Sequence, residues 1–181
     1  MTSREITNAL ARHLDYRKNV IVPRCHFAGA EADLLCLRPS DWLEEFEVKV
    51  SLSDFKREFI EKTWKHEFLV QGSRHNTFPG DGECVVVASE HKIRRFWFAV
   101  PHELSDKVND LVPAHAGLVT VQRTQSRWRN AFDVVVIAKP APVLKMARKL
   151  TQGERCDLCR LAYLRYWDIE AKEEVVEEVA A

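Results

Sequence analysis

Asp33 and the run Glu47-Val48-Lys49 offer two carboxylates and an ammonium group where a pair of strands gives way to a helix. Brought onto one patch, such groups can hold a divalent cation and a water against a phosphodiester. Mg²⁺ prefers one or two carboxylates, keeps several waters and takes its remaining ligands from substrate phosphate. Asp33 and Glu47 would be ligands, with the Val48 carbonyl as a third. Two acids that close repel each other unless a cation lies between them. Lys49, on the same face as Glu47, could orient or help deprotonate the attacking water and stabilise charge developing on the phosphorus oxygens.

The strands that must position these groups are legible. Residues 31–37 read as a strand and 38–41 as a turn, because Pro39 has no N–H for a ladder and Ser40 and Asp41 can bond their own backbone. Residues 44–50 then alternate with period two, the strand signal. A hairpin centred near Ser40 puts Asp33 opposite Glu47 and Glu31 opposite Lys49, with opposed Cβ atoms about 5 Å apart. Its other face collects Ala32, Leu34, Cys36, Phe46, Val48 and Val50, and a one-residue slip would scatter both sets. The same alternation also describes an ordinary half-exposed strand, whose Glu and Lys would form a surface pair worth about 0–1 kcal/mol.

A helix follows at once, with Ser51 or Ser53 as N-cap, Asp54 in its first turn, and Leu52, Phe55, Phe59 and Thr63 as its stripe, ending near Trp64-Lys65-His66. Glu31-Ala32-Asp33, then Glu45-Phe46-Glu47-Val48-Lys49-Val50-Ser51, then Lys65-His66, resembles the PD-(D/E)XK nucleases, the restriction-endonuclease-like superfamily. The likeness is to small stand-alone members from bacteria and their phages, over residues 28–66 and more loosely to about 138. Ala32 stands where the named motif has Pro.

The resemblance implies an α/β fold with a restriction-endonuclease-like core, a mixed β-sheet flanked by helices in the order αβββαβ. It implies a Mg²⁺- or Mn²⁺-dependent deoxyribonuclease of repair, recombination or phage DNA processing, leaving a 5′-phosphate and a 3′-hydroxyl. Asp33, Glu47 and Lys49 would be its active triad, Glu45 a candidate accessory acid, and Ser51, Lys65 and His66 candidate nucleic-acid contacts. DNA would be the partner, and many relatives act as homodimers. Members that have lost cleavage and only bind nucleic acid or a protein partner also exist.

Other positions admit two readings each. Thr2-Ser3-Arg4-Glu5 looks like a capping box opening a helix with Ile6, Leu10 and Leu14 inward, so Glu5 either satisfies the Thr2 backbone or reaches the metal shell. Lys65 and His66 either meet phosphate or answer the dipole of a helix C-terminus. The connector 123–130 interleaves Arg127 and Arg129 with Trp128, which suits either DNA-backbone contact or a solvated hairpin tip. Cys156-Asp157-Leu158-Cys159 lacks a second Cys/His pair and reads as core cysteines within a helix.

At 181 residues the chain suits one domain, residues 1–167, followed by an acidic tail, 168–181. The zero net charge is an average, since the tail holds six acids and one lysine and leaves 26 basic against 21 acidic side chains, a formal +5, upstream. Five cysteines, an odd number, suit reduced thiols in a cytoplasmic protein. No apolar run approaches ~20 residues and the N-terminus shows no signal peptide, so no membrane role is expected. Strands are expected at 84–88, 95–100, 117–121 and 133–137, a short helix at 103–110, a turn-rich loop at 71–82 with Arg74 and His75 near substrate, and a long helix opened by a second capping box at Thr151-Gln152-Gly153-Glu154.

Overall fold

The computed structural model describes residues 1–27, 30–71, 91–126 and 129–180. The expected strand at 84–88, the loop with Arg74 and His75, and Arg127 lie outside those residues. In chain order the elements are α1 (Ser3–His13), β1 (Val20–His26), β2 (Glu31–Leu37), β3 (Leu43–Val48), α2 (Leu52–Glu61), α3 (Thr63–Gln71), β4 (Ile93–Pro101), α4 (Ser105–Val108), β5 (Ala116–Ser126), β6 (Arg129–Lys139) and α5 (Gln152–Ala180). Single 3₁₀ turns flank α4. The six strands form one mixed sheet in sequential order: β1, β2 and β3 antiparallel, β3, β4 and β5 parallel, β5 and β6 antiparallel. Among the described residues no helix is long and apolar enough to cross a membrane.

The hairpin register is the expected one, with Leu34 opposite Phe46 and Leu37 opposite Leu43. Its ladder stops at Leu34, so Asp33 and Glu47 are not ladder partners and Glu31 does not meet Lys49. Beyond Phe46 the strand leans on β4, where the Lys49 N–H donates to the Ala99 carbonyl at 2.9 Å. Parallel neighbours need a long crossover, and residues 49–92 supply it through α2 and α3.

Helices cover both faces of the sheet. Ile6, Ala9 and Leu10 of α1 pack on Leu34, Cys36, Phe46 and Val48 together with Trp97, Val119 and Val121. The other face gathers Leu35, Leu43, Phe96, Phe98 and Leu118 beneath Phe55, Leu69, Leu104 and Leu158. Two members of the expected apolar set depart. Ala32 joins the second cluster with Leu35 and Leu37, next to Cys25 of β1. Val50, past the end of β3, is 42 % exposed.

Strand β3 is buried along its whole length, so the half-exposed alternative fails. Such a strand can carry charge only if each charge is answered. Glu44, on the α1 face, accepts a two-pronged contact from Arg38 at 3.0 and 3.2 Å and the Trp97 indole N–H at 3.1 Å. Glu45 and Glu47 point to the opposite face.

Both capping boxes form. The Glu5 N–H donates to Thr2 Oγ1 at 3.3 Å while Glu5 Oε2 accepts the Thr2 N–H at 2.7 Å; Thr151 and Glu154 repeat the arrangement at 3.3 and 2.8 Å. The single helix expected to end at His66 is instead two, α2 and α3, broken at Lys62. Cys156 and Cys159 are exposed rather than core, because α5 turns Leu158 inward between them.

Candidate functional site

The end of β3 and the start of α2 lie where the sheet meets its second helical layer. Ser51 turns the chain: its hydroxyl accepts the Asp54 N–H at 3.1 Å as the N-cap of α2 and lies 3.0 Å from the Ser53 hydroxyl. From that cap, α2 carries Phe55 into the core and Glu58 over Lys49. One turn later α3 carries Lys65 and His66 over Glu45 and Glu47.

The result is a nearly dry cluster of charges. Lys49 Nζ lies 3.1 Å from Glu47 Oε1 and 2.7 Å from Glu58 Oε2. Lys65 Nζ bridges Glu45 Oε1 at 2.6 Å and Glu47 Oε2 at 2.9 Å, and lies 3.4 Å from the Glu31 carbonyl. Lys62 Nζ touches Glu47 Oε1 and stands 3.2 Å from Glu58 Oε2. Glu47 thus meets three ammonium groups. Beside it, Asp33 Oδ2 accepts the Val48 N–H at 2.7 Å.

The electrostatics follow from burial and neighbours. Burial, then the charge of Glu47, raises the Asp33 pKa, and the Val48 N–H and Lys49 only partly offset them. Burial works against charge on Lys49 and Lys65, but the adjoining carboxylates outweigh it and raise both pKa values. Burial raises Glu45 against the pull of Lys65. It also opposes charge on Glu58, yet His66, Lys49 and Lys62 pull that carboxyl well below the usual range. A lysine held so firmly protonated is suited to stabilising negative charge, not to accepting a proton.

His66 is buried between Phe59, Phe96 and Phe98, with Nδ1 2.9 Å from His115 Nε2 and Nε2 3.7 Å from Glu58 Oε1. Lys65 and His66 therefore stand in the first turns of α3, facing carboxylates and rings, and not at a helix C-terminus. Glu5 is exposed; besides its capping role it takes Arg123 Nη1 at 2.9 Å, and hydrogen bonds from Thr2 and Arg123 lower its pKa to about 2. Arg129 opens β6, its backbone paired with Ser126.

Glu58, Lys62 and His115 were not singled out from the sequence. Glu58 falls three residues after Phe55, on the buried side of α2, and Lys62 follows it by one helical turn. An acid at a core position with a lysine at i+4 was the available signal.

Among the described residues no group of three or more His, Cys, Asp or Glu side chains is arranged to hold a metal. Mg²⁺ does not need three, since water and phosphate complete its octahedron. Asp33, which accepts the Val48 N–H at 2.7 Å, and Glu47 are the carboxylates that such an ion would use. Carboxylate oxygens are the kind of donor Mg²⁺ takes, and the Glu47 oxygens are held by Lys49, Lys62 and Lys65 in this arrangement.

No family model and no curated protein matches this chain. Among solved structures it is similar to a protein of unknown function from Silicibacter pomeroyi, with a TM-score of 0.57 and 20 % identity over 98 % of this chain and 94 % of that one. That likeness is one of fold.

Proposed function

We propose that the protein is a divalent-cation-dependent deoxyribonuclease with a restriction-endonuclease-like core. The observation that carries the reading is the junction of β3 and α2, where Asp33 is bonded to the backbone between Glu47 and Lys49 and both of those side chains are buried. The order α1, β1–β3, α2–α3, β4 also follows the αβββαβ expectation. Asp33, Glu47 and the Val48 carbonyl would hold Mg²⁺ or Mn²⁺, which supplies a polarised phosphoryl oxygen and an acidified water. Lys49 then offsets charge growing on the phosphorus oxygens, and Glu58 fixes its ammonium. Lys65 holds Glu45 and Glu47 in place and keeps water from the buried side of the site.

A second reading has its own support. Glu45, Glu47 and Glu58 are already matched by Lys49, Lys62 and Lys65, so the cluster is satisfied as a structural ion network. On that reading the protein binds DNA or a protein without cutting.

Incubation of plasmid, single-stranded and branched DNA with Mg²⁺, Mn²⁺ or EDTA separates the two. Metal-dependent cutting that leaves 5′-phosphates and disappears in Lys49→Ala and Asp33→Ala supports the nuclease. DNA binding without cutting favours the structural ion network, and cutting that survives both substitutions places the chemistry elsewhere.

A further inference from the structure

We propose that Lys62 is a built-in counter-ion of Glu47 that gives up its position when a divalent cation binds. The inference rests on the metal reading above and concerns how that site opens.

Three carboxylates, Glu45, Glu47 and Glu58, face three ammonium groups, Lys49, Lys62 and Lys65, with the Asp33 carboxyl bonded to the Val48 N–H beside them. A dication entering a balanced, poorly solvated cluster adds two uncompensated charges unless a cation leaves. Stranding charge in such surroundings is strongly unfavourable.

The three lysines differ in their ability to leave. The side chains of Lys49 and Lys65 are 8 % and 3 % exposed, whereas that of Lys62 is 32 % exposed. Lys62 also occupies the break between two helices: it caps α2 at φ −117° and ψ 31°, its N–H donates to the Glu58 carbonyl at 2.9 Å, and α3 begins at the next residue. Its backbone is therefore anchored while its four-carbon stem runs from the surface to Glu47 Oε1. A flexible, strongly hydrated ammonium can swing outward about that anchor and recover its water. Neither buried lysine can do so without opening the core.

Two measurements on the full chain test the exchange, with Mn²⁺ alone as the probe. Titration calorimetry should show Lys62→Met binding Mn²⁺ about tenfold more tightly than wild type, the scale of one unit charge removed from a partly screened site. The same change at exposed Lys56, also on α2, should stay within about twofold. Amine acylation of wild type, mapped by mass spectrometry, should find Lys62 several-fold more reactive with Mn²⁺ than without it.

Equal affinity in wild type and Lys62→Met, or unchanged Lys62 labelling with Mn²⁺ bound, overturns the exchange while leaving the metal site standing. Absence of Mn²⁺ binding in both proteins overturns the metal site and the exchange together.

Discussion

Asp33 accepts the Val48 N–H at 2.7 Å and so fastens β2 to the residue between Glu47 and Lys49. The bond gives Asp33 a structural duty separable from its charge. Its raised pKa means the folded state prefers the protonated acid, so the ionised form weakens the fold as pH rises above the ordinary 3.8. Asp33→Asn keeps an oxygen for the Val48 N–H and drops the charge. Urea unfolding at pH 7 should find it at least as stable as wild type. Asp33→Leu, which leaves the N–H unanswered, should lose about 1–3 kcal/mol.

Lys65 answers two buried acids. Lys65→Met should cost about 3–5 kcal/mol at pH 7, because breaking a buried pair strands the partner charge. Part of that loss should return as pH falls and Glu45, whose pKa burial already raises, takes a proton. Chemical denaturation across pH 5–8 reads both effects.

His91 is buried against Phe68, and desolvation lowers its pKa from 6.5 to about 4. Between those values the unfolded chain binds the extra proton and the folded one refuses it. The neutral ring's contribution is therefore complete above pH 6.5 and is lost as pH drops toward 4. His115, lowered to about 4 by burial and then by His66, adds to the same window. The acid limb of a stability–pH curve should flatten in His91→Leu, without disappearing.

Gly117 of β5 sits opposite Trp97, and a Cβ there would come within 2.5 Å of the Ala141 backbone nitrogen and of Trp97 Cε3. The backbone contact cannot yield cheaply, so Gly117→Ala should lose about 1–3 kcal/mol in thermal or urea unfolding.

The thiols should divide by position. Burial pushes Cys25 and Cys36 up to about 12, while Cys156 and Cys159 are exposed. Brief maleimide treatment of native protein followed by peptide mapping should label Cys156 and Cys159 and spare Cys25 and Cys36 until denaturant is added.

The hairpin was legible because Pro39-Ser40-Asp41 fixes a turn and period-two alternation leaves one register that buries a whole face. β1 was not, since Pro23 removes a ladder donor and Arg24 breaks the alternation, the marks of an edge strand. The helix was read from its apolar stripe, which cannot reveal that Glu58 shares the buried side, because a buried acid depends on lysines brought in by the fold. The break at Lys62 was hidden for a similar reason: nothing between Glu61 and Trp64 is a helix breaker, and the chain bends there to let α3 lay Lys65 across Glu45 and Glu47. The Cys156–Cys159 pair was misread because a helical period fixes which residues share a face, not which face is covered.

Among the described residues, every ionised group of the charge cluster comes from the stretch between Asp33 and Lys65. The remainder of the chain contributes rings, such as Phe96 and Phe98, and the uncharged imidazole of His115. One contiguous segment therefore sets the inventory of charge, and distant segments set the dielectric in which it acts. Changes at Phe96, Phe98 or His115 can therefore tune how strongly these charges act on one another without altering their number.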